Sequence, residues 1–387
     1  MTIPQPPQVS PSRLAGIEHA RRTALQDRAA LSAGSIAPWI ERSWQRCMNL
    51  GLRPHEPLAF EMVSAEHMRR TRDANQHLLQ TAKPIFEKLV GAIVDTRYFA
   101  ILTNAEGVVV DASGPIKRAD RRANAITRIG TDLSERSIGI AAIGTALTEL
   151  QPVWVHRGEH FFLGSSVYSC AGAPLFGPDG ACVGMLDLTG IEAVERPELR
   201  HLVAQTARKI ENALVLAQAH RLMLRLNWPG NALGSEADGI VCLDGDGWIT
   251  GANQNARQMA PELAAPHLRS VHLSDVFGVP YELLFDALRR RDATLEFPLW
   301  TGLRLLALPM ERAAEERPVQ SNLHSHASDS PPLKDIETAL IRQAVEQARG
   351  NVVQAARALG ISRATVYRRL GKRADPGAVP ENSQPAP

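Results

Sequence analysis

The sequence predicts a multidomain α+β protein, with two sheet-bearing units followed by a three-helix module. Three observations predict it. Runs of alternating apolar residues broken by Gly- and Asp-rich turns recur in two separate stretches, about 98–190 and 239–310. A polar stretch rich in Ser, Pro, Glu and His, 311–332, has no face to bury and reads as a flexible linker. Beyond it the period switches to 3.6, with a helix terminator and caps in register.

The elements follow in order. Residues 1–35 read as a disordered, Pro-rich lead passing into helix. "IERSWQRCMNLGLRP" is a helix ended by Gly51 and Pro54, and a second helical region runs from Ser64 to Val94. "YFAILTNAEGVVVDASG" is a hairpin, and "GTDLSERSIGIAAIGTALTEL" a loop and a helix. "QPVWVHRG", "SVYSCAGAPLF" and "ACVGMLDLTG" are strands, the last two joined by Gly177-Pro178-Asp179-Gly180. A long helix from Pro197 to about Leu226 closes the unit, 36–226, with helices on one side of one antiparallel sheet. Leu199, Val203, Thr206, Ile210, Ala213, Ala217 and Leu224 recur near 3.5 spacing on it. That stripe packs on its own sheet or forms a dimer seam. Residues 231–310 make the smaller α+β unit, opening strand–turn–strand–helix at "DGIVCLDGDGWITGANQNARQM".

Composition narrows the function classes. Charged residues are 22% and hydrophobic ones 44%, ordinary for a globular protein. The net charge of +2 is unevenly spread: 334–373 carries nine Lys or Arg against three Asp or Glu, leaving the rest mildly acidic. A basic module on an acidic body suits a polyanion at one end. Four scattered cysteines without a CxxC pair argue against a zinc ribbon or disulfide scaffold and suit a reducing cytoplasm. No apolar run approaches the roughly 18 residues of a membrane span, and the first residues lack a signal peptide's apolar core.

The C-terminal stretch carries the most information. Gly350 ends a helix with apolar positions at Ile336, Leu340, Ile341, Ala344 and Ala348. Asn351 with Gln354 forms a capping box, Gly360 makes a tight turn, Ile361 plugs it, and Ser362 caps a third helix. Val366 and Leu370 face inward there; Arg363, Thr365, Arg368, Arg369 and Lys372 are left outside. Two short helices joined by such a turn are a helix-turn-helix, whose target is double-stranded DNA. Arg363 sits in the first turn, where a guanidinium fork meets guanine, and Asn351 is placed for phosphate. A bare solvated basic face would not require two caps and a turn glycine in register.

Residues 333–373 resemble the Fis-type helix-turn-helix of bacterial enhancer-binding regulators, through Gly350-Asn351, Ala355-Ala356, Leu359 to Arg363 and Thr365 to Arg368. That resemblance implies recognition positions at Ser362, Arg363, Thr365 and Arg368 and a phosphate contact at Asn351. Upstream, "SWQRCMNLGLRP" and the stretch from "IGTDLSERSIGIAAIGTAL" to "GMLDLTG" resemble the GAF sensor of acetoin-catabolism-type activators. Residues 231–310 resemble a PAS domain. The resemblance implies a cytoplasmic, nucleoid-associated homodimer that senses a small organic effector and meets RNA polymerase, with a pocket near Ile140, Ala141, His160 and Cys170. The chain departs from the family twice. Gly139-Ile140-Ala141-Ala142 stands where the family commonly has Gly-Thr-Asn-Ala, and no GxxxxGK[ST] loop occurs anywhere, so the family's ATPase engine is missing. A repressor or co-regulator competing at a relative's sites is the runner-up, and a GAF-fold redox enzyme the alternative from another class. The sequence suggests no catalytic residue, resident cofactor or metal. His156 and His160, four apart on an extended strand, lie about 13 Å apart and cannot share an ion unless Gly158 folds the chain back. The tail, 374–387, reads as disordered.

Overall fold

A computed structural model describes residues 11–311, apart from 59, 61, 266 and 290–293, together with 345, 348, 352, 354, 356 and 366. The chain divides into two compact units, Met1–Glu315 and Glu316–Pro387. No helix among the described residues is long and apolar enough to cross a membrane.

The first unit begins with α1 (Pro11–Arg21) and α2 (Pro38–Asn49), the latter started by Pro38 at its first position. The predicted region 64–94 is two helices, α3 (Ala65–Ala74) and α4 (Gln76–Ile93), with the Ser64 hydroxyl capping α3. The hairpin is β1 (Tyr98–Asn104) and β2 (Val109–Ser113). Then come α5 (Arg121–Thr127), α6 (Glu135–Ile138), α7 (Ala142–Glu149) and β3 (Val153–His156). Strands β4 (Tyr168–Phe176) and β5 (Cys182–Ile191) flank the expected Gly-Pro-Asp-Gly turn. The antiparallel sheet has order β2-β1-β5-β4-β3.

Helices cover both faces of this sheet, not one. Every residue of β4 is buried, so neither face can be left to water. On β1, Tyr98, Ala100 and Leu102 pack with α4 and with α8 (Leu199–Leu216), while Phe99 and Ile101 point to the core formed with α2 and α7.

The closing helix is also shorter than predicted. It ends at Leu216, and Leu222–Asn227 form strand β6 instead. That strand is central in a second antiparallel sheet, ordered β8-β7-β6-β10-β9, whose other members are β7 (Gly239–Leu243), β8 (Ile249–Ala252), β9 (Leu295–Pro298) and β10 (Arg304–Glu311). Helices α9 (Gln254–Met259), α10 (Leu273–Val276) and α11 (Glu282–Arg289) lie between β8 and β9 in the chain. Pairing of Leu222 with both Leu243 and Glu311 outweighs the leucines' preference for helix. Of the stripe at 3.5 spacing, Leu199, Val203, Thr206 and Ile210 are buried in the chain's own core, and the first, second and fourth belong to the cluster with Leu186 and Leu188.

The end of α8 and the β4–β5 turn meet the second sheet inside this unit. Arg257 donates to the Pro178 carbonyl at 2.8 Å, and the Asn253 amide donates to Asn212 of α8 at 2.8 Å. Val215 packs with Met223, Ile240 and Cys242.

In the second unit, Ala356 and Val366 are buried together, with Val345 and Val352 half-buried against them. Val366 thus faces inward, as its spacing predicts. The predicted linker 311–332 (beyond Glu311), Asn351, Ser362, Arg363, Thr365, Arg368, Leu370, Arg369 and Lys372 lie outside the described residues.

Candidate functional site: a cavity on the first sheet

Three polar anchors shape one end of the first sheet. The buried Glu135 carboxylate accepts from Arg46 Nε at 3.2 Å and from the Ser43 hydroxyl, tying α2 to α6. Arg46 Nη1 also reaches Glu149 of α7 at 2.8 Å. Between those helices, Gly139 takes φ +65°, and a Cβ there would lie 3.0 Å from the Phe162 ring. This loop delivers Ala141 to the core.

After β3 the chain folds back, through Arg157 at φ +47° and a single 3-10 turn over Arg157–Glu159. The strand reading of 156–160 fails there, because side chains from outside the strand capture the turn. The Trp44 indole donates to the Glu159 carbonyl at 2.9 Å, and the Arg21 guanidinium donates to the carbonyls of Gly158, His160 and Phe161. His156 and His160 are both buried, but each is spoken for at Nδ1, by Ser169 Oγ at 2.9 Å and the Arg157 carbonyl at 3.0 Å. Among the described residues no group of three His, Cys, Asp or Glu is placed to hold a metal.

Ala141, His160 and Cys170 line one cavity, with about 30 Å³ of free interior volume, between β4, β5 and the loops over them. Ile140 is fully buried in the surrounding cluster and is not among the lining side chains. The lining is otherwise apolar (Phe60, Ile101, Ile143 and neighbours), except for a polar row in which Asp187 and Thr189, which the sequence reading missed, join His160, Cys170, Ser165 and Tyr168. The Thr189 hydroxyl donates to the Asp187 carboxylate and lies 3.2 Å from Cys170 Sγ, which is 3.7 Å from His160 Nε2. Burial holds His160 down at about 4 and pushes the Asp187 carboxyl up to about 7, although the Thr189 hydroxyl opposes the rise. Burial, with the Asp187 charge added, pushes the Cys170 thiol well above its usual range, away from a reactive thiolate. One signal was present in the string "MLDLTG": an acid at the centre of an apolar strand, on the face shared by Met185 and Thr189.

Comparison with known proteins adds to this geometry. Residues 332–372 match the family described as bacterial regulatory protein, Fis family, and residues 15–212 match the family described as MimR, N-terminal domain. The acetoin catabolism regulatory protein of Cupriavidus necator is 29% identical over 255 residues, 64% of this chain and 37% of that protein. The acetoin dehydrogenase operon transcriptional activator AcoR of Bacillus subtilis is 26% identical over 230 residues, covering 59% and 38%. The propane 2-monooxygenase operon transcriptional activator MimR of Mycolicibacterium goodii is 27% identical over 187 residues, covering 48% and 31%. The chain thus spans about a third of the length of these relatives. Among solved structures, the E. coli DhaR(N)–DhaL complex aligns with 14% identity and a TM-score of 0.44, over 72% of this chain and 100% of that one. The match from 15 to 212 takes in more than half of the chain, which belongs to the MimR N-terminal domain family and carries a Fis-family helix-turn-helix motif after it.

Proposed function

We infer that the protein is a sequence-specific DNA-binding transcription regulator, governed by a small molecule bound in the first sheet's cavity. The single observation carrying this is the presence, in one chain, of the 15–212 and 332–372 family matches. In this reading a GAF-type sensor ends near 217–221, a PAS-like unit follows from β6, and residues 311–332 link it to a three-helix reader at 333–373. Asn351 grips phosphate, while Ser362, Arg363, Thr365 and Arg368 face bases and Arg369 and Lys372 the backbone. The protein is a regulator and not an enzyme: the matched relatives are named as regulators or activators, and the Cys170 thiol is held protonated. No GxxxxGK[ST] loop occurs in the sequence, so the output is DNA occupancy, by recruitment or occlusion, without ATP-driven remodelling of polymerase.

The reader works as a pair, because one small module buries only about 600–1,000 Å² of its own surface on DNA. The sequence predicts a single helix, 335–349, between the linker and the motif, so in this reading the sensor half holds the dimer. Genome-wide mapping of bound sites supplies the operator. Deleting residues 1–330 is then expected to weaken operator binding by about 100-fold or more, read by mobility shift at fixed salt. Unchanged affinity sinks the sensor-held dimer, and an intact chain that prefers no operator over competitor DNA sinks the function.

A further inference from the structure

We propose that Asp187 is the recognition group of the cavity and that the effector is a small neutral molecule donating a hydroxyl hydrogen to it. This rests on the reading of the cavity as the effector site. One carboxylate oxygen, Oδ2, already accepts from the Thr189 hydroxyl. The other, Oδ1, is fully buried and has no hydrogen-bond partner, in a residue that lines the cavity. A buried acceptor left unpaired is costly, and a ligand that supplies the missing donor recovers that cost.

The rest of the row is also rich in acceptors. His160 spends its Nδ1 hydrogen on the Arg157 carbonyl, which leaves Nε2 as a lone pair. Among the described residues no Lys or Arg lines the cavity, so nothing there would pair with an anionic ligand. The free volume of about 30 Å³ restricts the occupant to a few heavy atoms.

Charge follows from the same contact. The titratable groups facing Asp187 are Cys170 and Tyr168 of β4 and His160 of the turn, while β1 and α7 present apolar side chains such as Ile101, Ala142 and Ile143. With its carboxyl pushed up to about 7 by burial, Asp187 is partly protonated at neutral pH. A donor at Oδ1 favours the ionised form, so binding tightens as pH rises through 7.

Calorimetry on the full chain tests this with 2-propanol, acetone and acetate, which share a size but differ as donor, acceptor and anion. The expected order is 2-propanol, then acetone weaker by about 10- to 100-fold, with acetate silent. In Asp187→Asn the amide keeps its oxygen toward Thr189 and presents N–H at the Oδ1 position. That variant should reverse the alcohol–ketone preference and lose the pH dependence, and its melting curve reports whether it folds. Equal binding of alcohol and ketone, or a pH profile unmoved in the variant, overturns the role of Asp187 while leaving the cavity as the effector site. If none of the three binds, the proposal and the cavity reading fall together.

Discussion

Trp44→Ala is expected to destabilise the first unit by about 3–5 kcal/mol, measured as a lowered midpoint in urea unfolding at unchanged slope. Trp44 is fully buried at the centre of the second face's core, in the cluster that holds Ile40, Phe161 and Tyr168. Removing the indole leaves a large void under α2, and the Glu159 carbonyl loses its donor. Trp44→Phe separates the two effects. It keeps most of the apolar contact and costs about 1–3 kcal/mol, the cost of one buried carbonyl left unpaired. Because that carbonyl belongs to the turn bringing His160 to the cavity, the phenylalanine variant should also weaken 2-propanol binding. A loss below about 1 kcal/mol in Trp44→Ala would show that the α2 face is not a packed core.

The same region shows what a sequence reader can and cannot see. The hairpin from Tyr98 to Ser113 and the pair β4–β5 were legible, because alternation and a glycine turn are local signals. The end of α8 was not. "LMLRLN" suits a helix by propensity, and only pairing with Gly239–Leu243 and Leu306–Glu311 makes it a strand. An element does end at Asn227, ahead of Pro229 and Gly230, but it is β6 and not the predicted helix. Of the expected pocket residues, Ala141, His160 and Cys170 line one cavity, and Ile140 stays behind its wall. The turn that lets His160 join them depends on Arg21 and Trp44, more than 100 residues upstream, and nothing local announces it. Asp187 was legible in principle: an acid flanked by Leu186 and Leu188 on a buried strand must find a partner, a ligand or a proton.

Arg363→Ala is expected to weaken operator binding by about 1–3 kcal/mol, roughly 5- to 150-fold, and to relax preference at one base pair. In the sequence reading the residue follows a cap at Ser362, and the first turn of a recognition helix is the part that meets base edges. A guanidinium fork bonding guanine O6 and N7 is lost outright when truncated, and lysine, a point donor, would recover only part of it. Arg369→Ala provides the contrast. As a phosphate contact it should weaken specific and competitor DNA alike, and lower the salt slope by about one. The buried pair Ala356 and Val366 gives the fold control, since Val366→Asp should abolish binding to every sequence by removing the core. Mobility shifts on an operator and on its single-base variants, at two salt concentrations, distinguish the three. If Arg363→Ala weakens operator and competitor equally, Arg363 touches the backbone and base reading must come from Ser362, Thr365 or Arg368. If all three variants leave the operator preference intact, the cationic third helix is a solvated face, and the DNA contact lies elsewhere on the chain.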